Sequence, residues 1–424
     1  MDRRFIPLFM IVFVDLVGFG IVIPVLLLHA GESFGATDLQ ATGLLTAFSI
    51  CMVIAGPVLG RLSDAYGRRP VLIVSQIGTF IGFIVLGLAN SLFLLYLGRI
   101  IDGISGGNIT TARAYINDIT TEENRARGFG LISAAFGAGF IVGPALGGAA
   151  VTFTAGVPSL AAYSQNAPFF VAALFSLASI LGTYFILPES LVPEARQPLG
   201  VRSKDTDGDL GLIGILKMEK MRTILSFTFV TFLAFSLFQS SFPIFARRRL
   251  FSDVSLEMAQ RNIGLVLTLF GLTNVIMQSF FVGPLVRRFG EQRLIVYATF
   301  GRIIAFLGAA LTLNAYIFAA FAAPLAIGNA ISQPSLQSII SRFAPPQLRG
   351  RVLGLFQSTN SLTLVFGPII AGTLLSADFP SFSSENAAAL PMFAAAALVT
   401  IAFFMSFRIL NLELPTQEAA PEEV

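Results

Sequence analysis

Along this chain the polar residues gather in short clusters, and twelve apolar stretches of about 20 residues run between them. They cover residues 5–28, 41–60, 70–90, 92–114, 127–150, 167–187, 223–245, 262–286, 293–313, 315–340, 350–376 and 388–409. A stretch of that length crosses the roughly 30 Å hydrocarbon core of a bilayer as one helix. Only helices and closed barrels satisfy their backbone groups there, and runs this long are helical. The pattern therefore predicts an all-α membrane protein with twelve transmembrane helices. Helices 3 and 4 are separated only by Asn90-Ser91, and helices 9 and 10 by Asn314, so each pair is a helical hairpin. The first run, Phe5 to Leu28, exceeds a signal-peptide core of roughly 7–15 residues and has no small-residue cleavage site after it, so it is read as retained.

Composition agrees. Hydrophobic residues make up 55% of the 424, charged residues 12%, and the mean hydropathy is +0.79. A soluble domain carries about 25% charged residues. One cysteine, Cys51, leaves no internal disulfide, and one histidine, His29, makes a zinc site implausible. The net charge of +3 reflects where arginines sit relative to the bilayer, not affinity for nucleic acid. Of 27 basic residues, 21 fall at alternate helix ends: the N-terminus, the loops after helices 2, 4, 6, 8 and 10, and Arg408. The positive-inside rule then places both termini in the cytoplasm. Arg247, Arg248 and Arg249 lie on the other side and run against that rule.

The helices divide six and six. Residues 188–222 break the apolar pattern with Pro188, Pro193, Pro198 and a polar Asp205-Thr206-Asp207-Gly208-Asp209 run. The expected organisation is a bundle over 1–187, a cytoplasmic linker over 188–222, a second bundle over 223–410 and an acidic cytoplasmic tail over 411–424. The halves repeat. Arg125-Ala126-Arg127-Gly128-Phe129-Gly130-Leu131 and Gly143-Pro144 recur 224 residues later as Arg349-Gly350-Arg351-Val352-Leu353-Gly354-Leu355 and Gly367-Pro368. An even number of helices per half makes the repeats parallel, related by an axis along the membrane normal.

Residues 60–72 form a charged turn wedged between two apolar runs, Gly60-Arg61-Leu62-Ser63-Asp64-Ala65-Tyr66-Gly67-Arg68-Arg69-Pro70-Val71-Leu72. The string resembles the signature loop between helices 2 and 3 of the major facilitator superfamily, G-x-L-x-D-x-x-G-R-R-P-x-L, with every fixed position filled. The resemblance implies two six-helix bundles with substrate bound near the midplane between them. In this loop Asp64 can face the positive N-terminal end of a neighbouring helix, expected to be helix 11 near Gly350, and Arg68 can pair with Asp118. With Gly60, Gly67 and Arg69 these residues would latch the cytoplasmic side in the outward-open state. The plainer reading is a topology signal, since Arg68 and Arg69 also satisfy positive-inside. In the second half Arg287 stands where Asp64 stands, so that loop is expected to have lost its latch carboxylate.

Two carboxylates lie deep inside spans. Asp15 is ten residues into helix 1 and Asp102 about ten into helix 4, so each sits roughly 15 Å deep. Such a group is rarely kept without a polar cavity, and it suits a site that takes and releases protons. Arg99 precedes Asp102 at i, i+3, and the alternative reading is that the two neutralise each other. Leu95-Tyr96-Leu97-Gly98-Arg99, followed by a small-residue run, resembles the fourth-helix motif of proton-coupled members. The resemblance implies that Arg99 lowers the proton affinity of nearby carboxylates; the alternative is charge compensation in helix packing.

Helix 5 carries Gly137, Gly139, Gly143, Pro144, Gly147 and Gly148. Small residues at that spacing let helices approach closely, and Gly-Pro supplies a bend. The segment 137–148 resembles the motif that marks drug:proton antiporters. Gly143 is expected to pack against the opposite half. Asn108, Gln239, Asn274, Gln278, Asn329, Gln333 and Asn360 are polar residues within spans, each either helix-to-helix glue or substrate contact. Phe235 and Phe242 share a face with Gln239, which reads as a drug-binding surface or as lipid-facing rings around one buried amide. Arg302, inside helix 9, has no obvious partner.

Over nearly its whole length the chain is similar to the tetracycline-resistance-like branch of those antiporters. Related tetracycline exporters carry acids on helices 3 and 9, where this chain has the neighbourhood of Gly82 and Arg302. The resemblance implies a secondary antiporter of the cytoplasmic membrane that exports amphipathic, drug-like or tetracycline-like compounds in exchange for protons by alternating access. It would need no cofactor beyond the proton gradient and would act as a monomer on small molecules, with the bilayer and protons as its other partners. A proton-driven importer of a small polar solute is the alternative, and a membrane sensor or enzyme a remote one. No nucleotide loop or nucleophile motif supports an enzyme.

Overall fold

The computed structural model describes residues 5–196, 214–215, 218–344, 348–377 and 384–412. Each apolar run is helical. Helix 1 covers Phe5–Phe34, helix 2 Asp38–Tyr66, helix 3 Arg68–Gly87, helix 5 Glu122–Ala155 and helix 6 Ala167–Ile186. In the second half, helix 7 is Glu219–Arg249, helix 9 Glu291–Leu311, helix 10 Ala315–Phe343, helix 11 Arg349–Leu375 and helix 12 Leu390–Leu410. Helix 8 runs from Leu256 to Phe289, with one π turn at Met277–Phe281.

Eleven of these helices are long and apolar enough to span a membrane as continuous elements. The twelfth, helix 4, is not one rod. It is broken into Leu92–Ser105 and Asn108–Ile119, and this corrects the single helix expected over 92–114. The cause is Gly106-Gly107, a costly pair in a helix interior. A Cβ on Gly107 would stand 2.6 Å from Leu59 Cδ1 and 3.1 Å from Gly56 Cα, and one on Gly103 only 2.5 Å from the Phe48 carbonyl. Glycine there lets helix 4 lie directly on helix 2.

The chain turns tightly where the repeat predicts it. Gly67 closes helix 2 with φ 106° and ψ 158°, and Gly290 closes helix 8 with φ 79° and ψ 152°. Both are backbone conformations open to glycine and strained for other residues. At the opposite face, helices 2, 8 and 10 start on side-chain caps from Thr37, Ser255 and Asn314.

Helix 1 packs between helices 5 and 6, helix 3 against 4 and 6, helix 7 against 11 and 12, and helix 9 against 10 and 12. The halves meet chiefly along two seams, helix 2 on helix 11 and helix 5 on helix 8, with a smaller contact of helix 1 on helix 7. Most of the expected linker, and the tail from 413, lie outside the described residues.

Candidate functional site

Arg99 and Asp102 meet within the first half. Arg99 Nη1 donates to Asp102 Oδ2 at 2.7 Å, with side chains 1% and 4% exposed. The guanidinium lies 4.1 Å from the Phe48 ring centroid of helix 2, so its face is covered as well. Helices 3 and 4 interlock beside this pair. A Cβ on Gly82 would lie 3.0 Å from both Asp102 Cβ and the Gly98 carbonyl, which leaves no room for an acidic side chain at 82. Position 15 sits in the continuous helix 1 and position 108 opens the second segment of helix 4; the side chains of Asp15 and Asn108 lie outside the described residues.

The 60–72 loop closes on itself. Arg68 Nε binds Asp118 Oδ2 at 2.9 Å and its Nη1 binds Ser63 Oγ at 2.8 Å. Asp64 pairs with Arg68 four residues on, not with the start of helix 11, because in this conformation the nearest cation is in its own loop. The sequence reading missed Glu189. Its carboxylate accepts from the backbone N–H of Arg68 (2.9 Å) and of Arg69 (3.2 Å), capping helix 3 from the end of helix 6. Ser190 Oγ then donates to Asp118 at 3.0 Å. A Pro-Glu-Ser run directly after an apolar span was the available signal.

In the second half the same three positions carry charge of opposite sign. Arg287, Glu291 and Arg342 stand where Asp64, Arg68 and Asp118 stand, 223 or 224 residues earlier. Arg342 Nη2 and Glu291 Oε1 lie 3.5 Å apart. Gln292 replaces Glu189 as the tie to the bundle's last helix, donating to the carbonyls of Ile409 and Leu412, both at 2.7 Å.

The helix 5 glycines serve two faces. Gly139, Gly143 and Gly147 press on helix 1: a Cβ on Gly143 would stand 2.7 Å from Gly20 Cα, and one on Gly147 2.3 Å from the Ile21 carbonyl. Gly143 therefore packs within its own half, which corrects the expected contact with the other. Positions 139, 143 and 147 advance by one helical turn and share a face, whereas Gly137 and Gly148 point about the other way. Those two, with the Pro144 carbonyl, meet helix 8 at Val275, Arg261 and Gly264.

The Arg247–Arg249 cluster now has its reason. Arg248 forks onto Asp38 of the first half with two bonds of 2.8 Å. Arg247 lies 3.4 Å from Glu32 and binds the carbonyls of Phe251 and Val254 at 2.7 and 3.0 Å. Arg249 stands 5.8 Å from the Phe245 ring centroid, in the field of Glu385. Leu39 N donates to Ser376 Oγ at 3.1 Å, and Gln260 to Gln165 at 2.7 Å. Among the described residues, the cross-half polar contacts concentrate at this face. Deeper in, only Thr268 Oγ1 to the Ile141 carbonyl (3.0 Å) and the Arg113–Gln357 contact join the halves.

The polar span residues behave differently. Asn329 is half-buried, and Gln333 and Gln337 are exposed, at i, i+4, i+8 along helix 10. Gln239 is half-buried and Gln278 exposed. None of these five has a hydrogen-bond partner among the described residues. Unpartnered amides cannot face hydrocarbon cheaply, so the helix 10 stripe lines a wet opening. Asn274 Nδ2 donates to the Ala326 carbonyl at 3.4 Å, and the backbone carbonyl of Asn360 accepts from Thr363 Oγ1 at 2.7 Å. Phe235 stacks on Phe270 at 5.8 Å, while Phe242 is fully buried against Phe318 and leaves the accessible face to Phe235 and Gln239. Arg302 is 1% exposed, bonded by Nη2 to the Thr231 carbonyl at 3.1 Å, with Nη1 unpartnered.

Eleven membrane-length helices and the broken helix 4, in two halves that repeat, define a multi-pass protein that moves small molecules across a membrane. A family model described as Major Facilitator Superfamily matches residues 8–259 and again 224–423, and the chain belongs to that superfamily. It is 32% identical, over 86% of its length and 87% of the relative's, to a tetracycline resistance protein, class C, of Escherichia coli. It is 30% identical to Multidrug resistance protein 2 of Bacillus subtilis (strain 168), over 87% of this chain and 88% of that one. Among solved structures, a nucleoside transporter shares the fold at a TM-score of 0.76 and 14% identity, covering 96% of this chain and all of that one.

Proposed function

We propose that the chain exports amphipathic, drug-like compounds in exchange for protons by alternating access. The observation that carries this reading is its 32% identity, along most of both chains, to a protein named for tetracycline resistance. The helix 5 glycine stripe and its seam with helix 8 support the direction of transport. Both termini face the cytoplasm of a cytoplasmic membrane, following the arginine distribution. The Arg247–Arg249 face is then periplasmic, and the conformation is sealed outside and open inward. The bundles over 1–187 and 223–410 rock about the seams, with 188–222 as the cytoplasmic linker and 411–424 as the tail. A monomer suffices.

Asp15 is the proton site, with the Arg99–Asp102 pair as a second ionisable station that must open before it can exchange a proton. Phe235, Gln239, Asn274, Gln278, Asn329, Gln333 and Asn360 face the substrate. When the inside closes, Asp64 leaves Arg68 for the start of helix 11, and the loop becomes a latch.

Inside-out vesicles, energised and offered a panel of anionic, neutral and cationic fluorescent amphiphiles, test the reading. Accumulation that stops when the pH gradient is collapsed is the expected result. Movement only out of the vesicles would make the chain an importer. Asp15→Asn should abolish gradient-driven accumulation while leaving substrate counterflow; gradient-driven transport at the normal rate by that variant removes Asp15 as the proton site.

A further inference from the structure

One cation of the inner wall has no role so far. Arg113 lies in the second segment of helix 4, six residues before its end at Ile119, and so about 9 Å inside that end. Among the described residues it has no acid in ion-pair reach. The acids on helices 2 and 4 are engaged elsewhere: Asp64 and Asp118 with Arg68, Asp38 with Arg248, Asp102 with Arg99. Its guanidinium meets a neutral group from the other half instead. With its amide oxygen turned toward helix 4, Gln357 of helix 11 accepts from Arg113 Nη1 at 2.9 Å and Nη2 at 3.2 Å.

A guanidinium cannot shed its proton, and its two parallel N–H groups match the two oxygens of a carboxylate or a similar oxyanion. Here that fork is held by one amide oxygen, a weaker partner that an anion can displace. The contact bridges the two halves, toward the end of helix 4 at Ile119.

We propose that Arg113 and Gln357 form the headgroup subsite for the transported compound, and that this compound is an amphipathic monoanion. The anionic group takes the Arg113 fork while the apolar body lies toward Phe235 and Phe270. Because the subsite is built from both halves, its occupancy draws helix 11 toward helix 4. The proposal rests on the exporter reading and narrows it to one substrate charge.

Binding of 1-pyrenebutyrate, its methyl ester and ethidium to the purified protein in phosphatidylcholine nanodiscs tests it. The wild type should bind the carboxylate at least 10-fold tighter than the ester, and ethidium weakest. Arg113→Gln should reduce the carboxylate-to-ester ratio about 10-fold, and Arg113→Lys should restore part of it, since the charge returns without the fork. Gln357→Glu supplies an internal carboxylate to Arg113 and should reduce the ratio as far, even where Arg113→Gln does not fold. A ratio unchanged in Gln357→Glu overturns the proposal. So does a wild type that prefers the ester or ethidium, while vesicle export of ethidium would leave the exporter reading standing. Carboxylate binding that vanishes when phosphatidylglycerol replaces phosphatidylcholine assigns the fork to lipid headgroups and overturns it too. If none of the three compounds is exported by energised vesicles, the exporter reading itself falls.

Discussion

The loops at 60–72 and 283–293 turn alike but reverse the sign of charge at two matching positions, Asp64 against Arg287 and Arg68 against Glu291. Each turns on a glycine at positive φ, and each sets an ion pair between the start of the following helix and the end of the helix two further on. In the first half the cation is Arg68 and the anion Asp118; in the second the anion is Glu291 and the cation Arg342. A contact pair is indifferent to which side supplies which sign, so the repeat holds geometry where it does not hold chemistry. The difference lies in burial. Arg68 is almost enclosed, shared among Asp64, Asp118 and Ser63, whereas Arg342 is 36% exposed and 3.5 Å from its partner. The first loop is a network, and the second a lone pair between a partly exposed arginine and a largely buried carboxylate.

The same contrast runs through the spans, where the first half holds the closed Arg99–Asp102 pair and the second holds Arg302, bonded to a backbone carbonyl with no acid beside it. Breaking the pair should have the largest effect. Asp102→Asn leaves Arg99 buried and uncompensated, at a cost of about 3–5 kcal/mol, read as a large drop in apparent melting temperature in detergent. Arg302→Met should act in the opposite direction, raising the melting temperature, because it removes a buried charge that has no acid to lose. A fall there would mean that the Thr231 carbonyl compensates Arg302 fully.

Helix 5 gives the next step. Gly143→Leu forces a side chain onto the helix 1 backbone, which cannot yield, and should destabilise by about 3 kcal/mol. Gly137→Leu meets only the Val275 side chain and should cost about 1 kcal/mol, with its main effect on the transport rate. Equal losses in the two variants would dissolve the distinction between the faces. The smallest effects belong to the loops. Arg68→Ala should cost about 2 kcal/mol and Glu291→Ala under about 1 kcal/mol, both read by thermal unfolding. The exchange Glu291→Arg with Arg342→Glu should then be nearly silent. Arg68→Glu with Asp118→Arg should not, since the carboxylate placed at position 68 would face that of Glu189.

Hydropathy alone located eleven continuous spans and placed the broken twelfth as one rod, because hydrocarbon admits so few backbone solutions. The Arg68–Asp118 bond was legible because the loop motif and the end of helix 4 fall at the same membrane face. The partners of Arg247 and Arg248 were not: Glu32 and Asp38 lie more than 200 positions away, and nothing local links them. The face of helix 5 that meets helix 1 was misassigned because glycine spacing records close approach without saying to what. Glu189 and Arg113 passed as loop and topology charges, their partners being backbone N–H groups in one case and a distant amide in the other. The helix 4 break was written in Gly106-Gly107, yet the flanking apolar residues outweighed it in a count of run length.

At the sealed face, the Arg248–Asp38 fork and the Arg247–Glu32 pair remain partly wetted, with the arginine side chains 35% and 23% exposed. Charges in that position are screened over a Debye length of about 8 Å at 0.15 M salt. The surrounding medium therefore enters the cycle as a mechanical variable. Brine at that face loosens the seal and hastens its opening, and dilution tightens it, so that the same protein would turn over at a pace set in part by the salinity of its surroundings.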